Sequence, residues 1–268
     1  MTAVLKFFDA IGRRTAKGFD EWGFGASLLA ESIVWIFVGR FYRQPVRFTH
    51  TFAEMMRFGI AALPIAILLS ATIGLMLAIQ SLYSLGLFGA QNFAYIGIAL
   101  SVTREFSPLI MGILIAGRSG SAITAQIGVM RVTDELDAMR VMGISHTYRL
   151  VMPRAMALSI AMPLISGWTT IAGLIGGMVA ADLSLGISPI FFLKALPAAV
   201  SLPNLVLGMS KSVVFGILIA LIGCHFGLRV RPNTQSLGQG TTASVVTAIT
   251  MVILVDALFA VLFSSVGI

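Results

Sequence analysis

Residues 58–103 carry no charge, and residues 155–181 and 232–255 are charge-free as well. Each run exceeds the roughly 20 apolar residues with which an α-helix crosses a bilayer core. Composition agrees, because 57% of the residues are hydrophobic and 11% charged, against about 25% charged in a soluble domain. In lipid, only helices and closed barrels satisfy every backbone N–H and C=O. These runs lack the alternation of a barrel strand. The expected fold class is therefore an all-α polytopic membrane protein.

A formal net charge of +7 could suggest nucleic acid as a partner, but the positions of the charges argue against it. Fifteen of the eighteen Lys and Arg fall within 6–57, 118–154 and 229–231. Placing those regions in the cytoplasm satisfies the positive-inside rule. Arg104, Lys194 and Lys211 are the exceptions. The single cysteine, Cys224, excludes an internal disulfide, and His50, His146 and His225 are too scattered to suggest a metal site. No GxxxxGK[ST] phosphate loop occurs, so the chain has no ATP site of its own by that criterion. No cofactor and no catalytic residue are expected.

The chain divides into an N-terminal part, 1–47, and a five-span part, 48–268. Residues 2–20 set Val4, Leu5, Phe8 and Ile11 against Lys6, Arg13, Arg14 and Lys17, the pattern of a helix lying on an anionic leaflet; a frayed basic tail is the alternative. Residues 22–41 are apolar but have basic residues on both sides, so they are expected to re-enter rather than cross. Residues 48–58 are amphipathic and expected to run along the cytoplasmic surface. Spans are expected at 59–83, 93–117, 148–181, 202–228 and 241–268. The N-terminus is then cytoplasmic and the C-terminus external.

Three features could carry chemistry. Arg104 and Glu105 fall near the middle of the second expected span, and Pro108 follows. An intramembrane charge is costly and marks a functional site by default. Neighbours on a helix point about 100° apart, so separate partners are expected for the two. Proline also deprives the Arg104 carbonyl of its donor, which predicts a kink. Lys211 and Asp256 are the other intramembrane charges, expected to pair across two spans. Gly112, Ala116, Gly120, Thr124 and Gly128 recur at every fourth position, a packing seam that lets another helix approach closely. Finally, Asp134, Glu135, Asp137 and Arg140 cluster in the polar segment 131–144.

These residues carry a resemblance. The motifs RE-F-S-P at 104–108, AGRSGSAITAQIGVMR at 116–131 and TDELDAMRVMG at 133–143, with PR at 153–154, resemble the MlaE (YrbE) permeases, membrane subunits of ABC-type lipid transporters that work with MCE-domain proteins. The resemblance runs from about residue 48 to the C-terminus. It implies an MlaE-type permease fold, five spans forming a homodimer in the cell inner membrane. It further implies two copies of a cytoplasmic ABC ATPase subunit, with a small STAS-domain subunit on the ATPase, and a hexameric ring of periplasmic MCE-domain protein. Phospholipid would move between the inner membrane and that ring, maintaining outer-membrane lipid asymmetry. Segment 131–144 matches the coupling helix that engages the ATPase. Ile79 and Leu82 match positions near the lipid, and Arg104 or Glu105 could reach its headgroup. Two other readings stand beside this one: a proton-coupled secondary transporter using Glu105 and Asp256, and a non-transporting membrane scaffold.

Overall fold

The computed structural model describes residues 48–90, 93–185 and 188–266, together with Gly23, Ser27, Ala30 and Glu31. The expected interfacial helix over 2–20 and most of the re-entrant segment over 22–41 lie outside the described residues. Among the described residues, five helices are long and apolar enough to cross a membrane: α1 (Thr49–Gly86), α2 (Ala94–Val132), α4 (Thr147–Ser184), α6 (Leu202–Leu228) and α7 (Thr234–Phe263). Two shorter helices connect them, α3 (Glu135–Val141) between α2 and α4, and α5 (Pro189–Ala199) between α4 and α6. The chain alternates direction, so α3 marks an elbow end and α5 marks the far end.

The spans stand where the apolar stretches of the sequence placed them, but three boundaries move. Residues 48–58 do not lie apart as a surface helix; they continue into α1 through a π turn at Met55–Gly59 and a 3-10 turn at Ile60–Ala62. The second span does not stop near residue 117 but continues as helix to Val132. The loop expected over 229–240 shrinks, because α7 already begins at Thr234. One reason serves all three: loss of hydropathy marks where a helix leaves lipid, and a backbone that is already helical continues into water.

Helices α4 and α6 form the centre, α4 packing on α1, α2 and α6, and α6 also packing on α2 and α7. The core runs between them through Leu158, Met162, Ile165, Phe215 and Ile219. Buried residues make up 50% of the most apolar stretch of α2 and of α4, but only 22% for α1 and 11% for α7. The latter two therefore flank the bundle. Their outward faces, including Leu68, Met76, Leu254 and Leu258, are exposed hydrophobics, as a lipid-facing surface requires.

Two seams bring the helices together. The expected row on α2 is one of them and faces α6 and α7. A Cβ on Gly112 would meet Val252 at 2.7 Å, one on Gly120 would touch Ile219 at 3.4 Å, and one on Gly128 would meet Leu237 at 2.4 Å. Ala116 is fully buried, and the Thr124 hydroxyl lies 3.0 Å from the Gly223 carbonyl and 2.8 Å from Ser244 Oγ. The second seam, between α1 and α4, is tighter and was not foreseen. A Cβ on Gly74 would stand 2.0 Å from the Gly173 carbonyl oxygen, and one on Gly176 the same 2.0 Å from that of Ala71. Only hydrogen fits at these two positions. Ser70 Oγ ties the crossing by donating to the Thr169 carbonyl at 2.6 Å.

Candidate functional site

In the far part of α2, residues Val102–Phe106 form a π turn. Pro108 explains its place: it cannot donate to the Arg104 carbonyl, and the ladder adjusts, the Ser107 N–H reaching back to Val102 O. Such turns offset the side chains they carry from the regular helical pattern. Here the turn carries Thr103, Arg104 and Glu105. Helix α6 comes in close beside it, since a Cβ on Gly208 would stand 2.5 Å from the Thr103 carbonyl oxygen.

That approach sets Lys211, almost one turn further along α6, against the turn. Its Nζ donates to Glu105 Oε2 at 2.5 Å and to Asp256 Oδ1 of α7 at 3.1 Å. The other Glu105 oxygen lies 3.4 Å from Arg104 Nε. Four charges, two of each sign, thus form one chain across three helices. Burial is uneven along it: the Lys211 side chain is 0% exposed and Asp256 14%, whereas Arg104 is 22% and Glu105 32% exposed. The Lys211 link is sealed inside the subunit, and the Arg104–Glu105 end is the more open one.

Two expectations change here. Arg104 and Glu105 do not take wholly separate partners, because a carboxylate has two oxygens and the π turn alters the angle between neighbours. The pair expected between Lys211 and Asp256 is extended by Glu105. The cluster is also not at mid-helix. At about 1.5 Å per residue, Glu105 lies about 16 Å from Ala94, Lys211 about 14 Å from Leu202 and Asp256 about 10 Å from Phe263. All three belong to the far-end half of the bundle.

The other expected lipid contacts diverge. Ile79 is 50% exposed, but Leu82 is 6% exposed and sits in an internal cluster with Ala78, Ala94, Ile98 and Phe192. Leu82 is a core residue of this subunit, so only Ile79 offers a wall to a lipid. Reading the sequence also missed a polar strand beside the cluster, where Ser107 Oγ lies 3.3 Å from Thr169 Oγ1 and links α2 to the α1–α4 crossing.

At the elbow, Asp134 adopts a left-handed backbone (φ 59°) and Gly143 another (φ 71°), and these two turns bracket α3. Leu136 is buried and its carbonyl is hydrogen-bonded by His146 Nε2 at 2.8 Å, which fixes α3 to the bundle by one side. Asp134, Glu135, Asp137 and Arg140 are exposed. Arg131 Nη1 meets Asp137 Oδ1 at 3.0 Å, and Thr133 Oγ1 donates to Glu135 at 3.1 Å. The tip is apolar, with Val141 90% and Met142 64% exposed. Charged flanks around an apolar tip suit docking into a protein groove better than solvation alone.

Against known proteins, the family model described as Permease MlaE matches residues 51–262. A probable ABC transporter permease protein of Synechocystis is 34% identical over 75% of this chain and 76% of its own length. A probable ABC transporter permease protein of Rickettsia bellii is 27% identical over 97% of this chain and 98% of its own. The intermembrane phospholipid transport system permease protein MlaE of Haemophilus influenzae is 28% identical over 94% and 95%, respectively.

Proposed function

This chain belongs to the MlaE permease family, and we propose on that premise that it is the membrane subunit of an ATP-driven transporter whose cargo is phospholipid. The observation that carries this reading is the unevenly buried charge chain. Its more buried half, Lys211 with Asp256, fixes Glu105 from behind, and its more open half leaves Glu105 and Arg104 partly exposed. Glu105 engages only the Nε of Arg104, and the rest of the guanidinium fork suits a phosphate. A second copy of the chain closing over this surface, with Ile79 as apolar wall, would enclose a lipid with its headgroup at Arg104.

The elbow supplies the drive. Two ATPase subunits gripping α3 through Glu135, Asp137, Arg140 and the Val141–Met142 tip would move α2 as they close, and α2 runs unbroken as helix to the charge pair. That is a rigid-body coupling of a kind transporters use. In this reading the elbow end is cytoplasmic and the far end periplasmic, in the inner membrane. An MCE-domain ring receives or delivers the lipid there, and a STAS-domain subunit sits on the ATPase. The phospholipid transport named for the Haemophilus relative supports the cargo.

Glu105→Gln tests it, because glutamine keeps the shape and removes the charge. The tagged variant should assemble and co-purify with its ATPase, with lipid content by mass spectrometry altered and ATP-driven lipid transfer reduced. Normal lipid content with normal transfer would remove Glu105 from the site. Collapse of yield would reduce Glu105 to a structural counter-ion.

A further inference from the structure

Near the elbow end an open groove of about 420 Å³ is lined by Arg57 of α1, by Ala125, Gln126, Val129 and Met130 of α2, and by Arg154 of α4. We propose that it binds the phosphate of an anionic phospholipid of the elbow-side leaflet, a lipid site separate from the Arg104–Glu105 cluster. This site requires no transport reaction, so it stands or falls independently of the function proposed above.

Arg154 is the strongest pointer. It is 5% exposed, its Nη1 reaches the Leu150 carbonyl at 3.4 Å and its Nη2 the Gln126 Oε1 at 3.2 Å. Its Nε has no hydrogen-bond partner among the described residues, and the Cys224 thiol close to the Arg154 side chain is only a weak acceptor. Among the described residues no carboxylate lies within ion-pair distance of it. A buried guanidinium without a counter-ion is costly, and an anion in the groove supplies one. Arg57 is exposed beside it, its guanidinium held 5.7 Å above the Phe58 ring. Glu54 is the nearest acid, and its charge also acts on the Cys224 thiol. It lines the adjoining cavity with His50 and Tyr148 rather than this groove and makes no ion pair with Arg154. Two cationic residues with a glutamine and no acid among the lining residues favour a net-negative headgroup over a zwitterionic one.

Depth and shape select a lipid rather than a free anion. At about 1.5 Å per residue, Arg57, Gln126 and Arg154 lie about 44–48 Å from the far ends of α1, α2 and α4. A bilayer is about 40–45 Å thick with its headgroups, so these side chains stand level with the headgroups of the elbow-side leaflet. Ala125, Val129 and Met130 continue the groove as an apolar wall, with Val129 46% exposed, and this wall suits the start of an acyl chain.

The test uses the full chain, purified and delipidated in detergent, titrated with short-chain phosphatidylglycerol or phosphatidylcholine and read by native mass spectrometry. Wild type should retain phosphatidylglycerol in preference. Arg57→Gln should weaken that binding about five- to tenfold, and should do so equally in a Glu105→Gln background, which separates the two sites. Val129→Trp, which fills the apolar wall without touching a charge, should weaken it too. Equal retention of the two lipids by wild type would overturn the proposal, as would undiminished affinity in either the Arg57 or the Val129 variant. Competition by inorganic phosphate as effective as by the lipid would show a free-anion site and overturn it likewise.

Discussion

The far-end charges and the elbow charges use the same few residue types in opposite ways. Lys211 is sealed, with both of its carboxylate partners supplied by other helices. Arg131 and Asp137 pair at a similar 3.0 Å, yet their side chains are 34% and 52% exposed. In low dielectric, losing one member strands the others, whereas in water the surviving charge is simply rehydrated. The far-end cluster is thus bound into the packing of three helices. The elbow charges are held by water more than by packing. Distance between partners does not separate the two; burial does.

Lys211→Met should break that comparison with the largest effect. Two carboxylates would be left facing each other within the membrane, and a loss of about 3–5 kcal/mol is expected. It would be read as collapsed yield and a lowered unfolding temperature in detergent. Adding Glu105→Gln and Asp256→Asn to the same variant should recover much of the loss. Unchanged stability of the single variant would mean that water reaches Lys211.

A smaller effect is expected at the α1–α4 crossing, where packing rather than charge is sealed. Gly74→Ala places a methyl within 2.0 Å of a backbone oxygen and should cost about 1–3 kcal/mol. Gly97→Ala, with nothing within 4 Å of the added carbon, should stay within about 0.5 kcal/mol. Comparable melting temperatures for the two would show that the helices separate easily.

The smallest stability change belongs to the elbow. Glu135→Lys with Asp137→Lys should shift unfolding by less than about 0.5 kcal/mol, while the ATPase no longer co-purifies or its ATP turnover is lost. Retained assembly and turnover would make α3 an ordinary solvated loop.

The five spans were legible because three charge-free runs, and two apolar stretches broken only by isolated charges, leave few alternatives, and the α2 seam because its small residues recur every fourth position. The α1–α4 seam carried the same signal, in Ala62, Ala66, Ser70, Gly74 and Ala78, all of them buried, but the run around it is so uniformly apolar that no face stood out. The contact of Lys211 with Glu105 was not legible. It joins residues 106 apart and depends on the rotation of α6 about its axis, which hydropathy does not encode when nearly every face is apolar. Leu82 failed for the related reason that a leucine reads the same against lipid and against Phe192.

The two π turns of α2 also set its phase. In a regular α-helix every fourth residue advances about 40° around the axis, so the row from Gly112 to Gly128 would wind about 160° in four steps and leave its partners. It stays against α6 and α7 throughout, and the π turn at Ala116–Gly120 lies inside it. The wider turn advances less per residue and takes back about 100° of that drift. Straightening that turn into plain α-helix with no residue removed would swivel α3 about 100° relative to Arg104 and Glu105. The direction in which the elbow points is geared to the charge cluster by a single surplus residue.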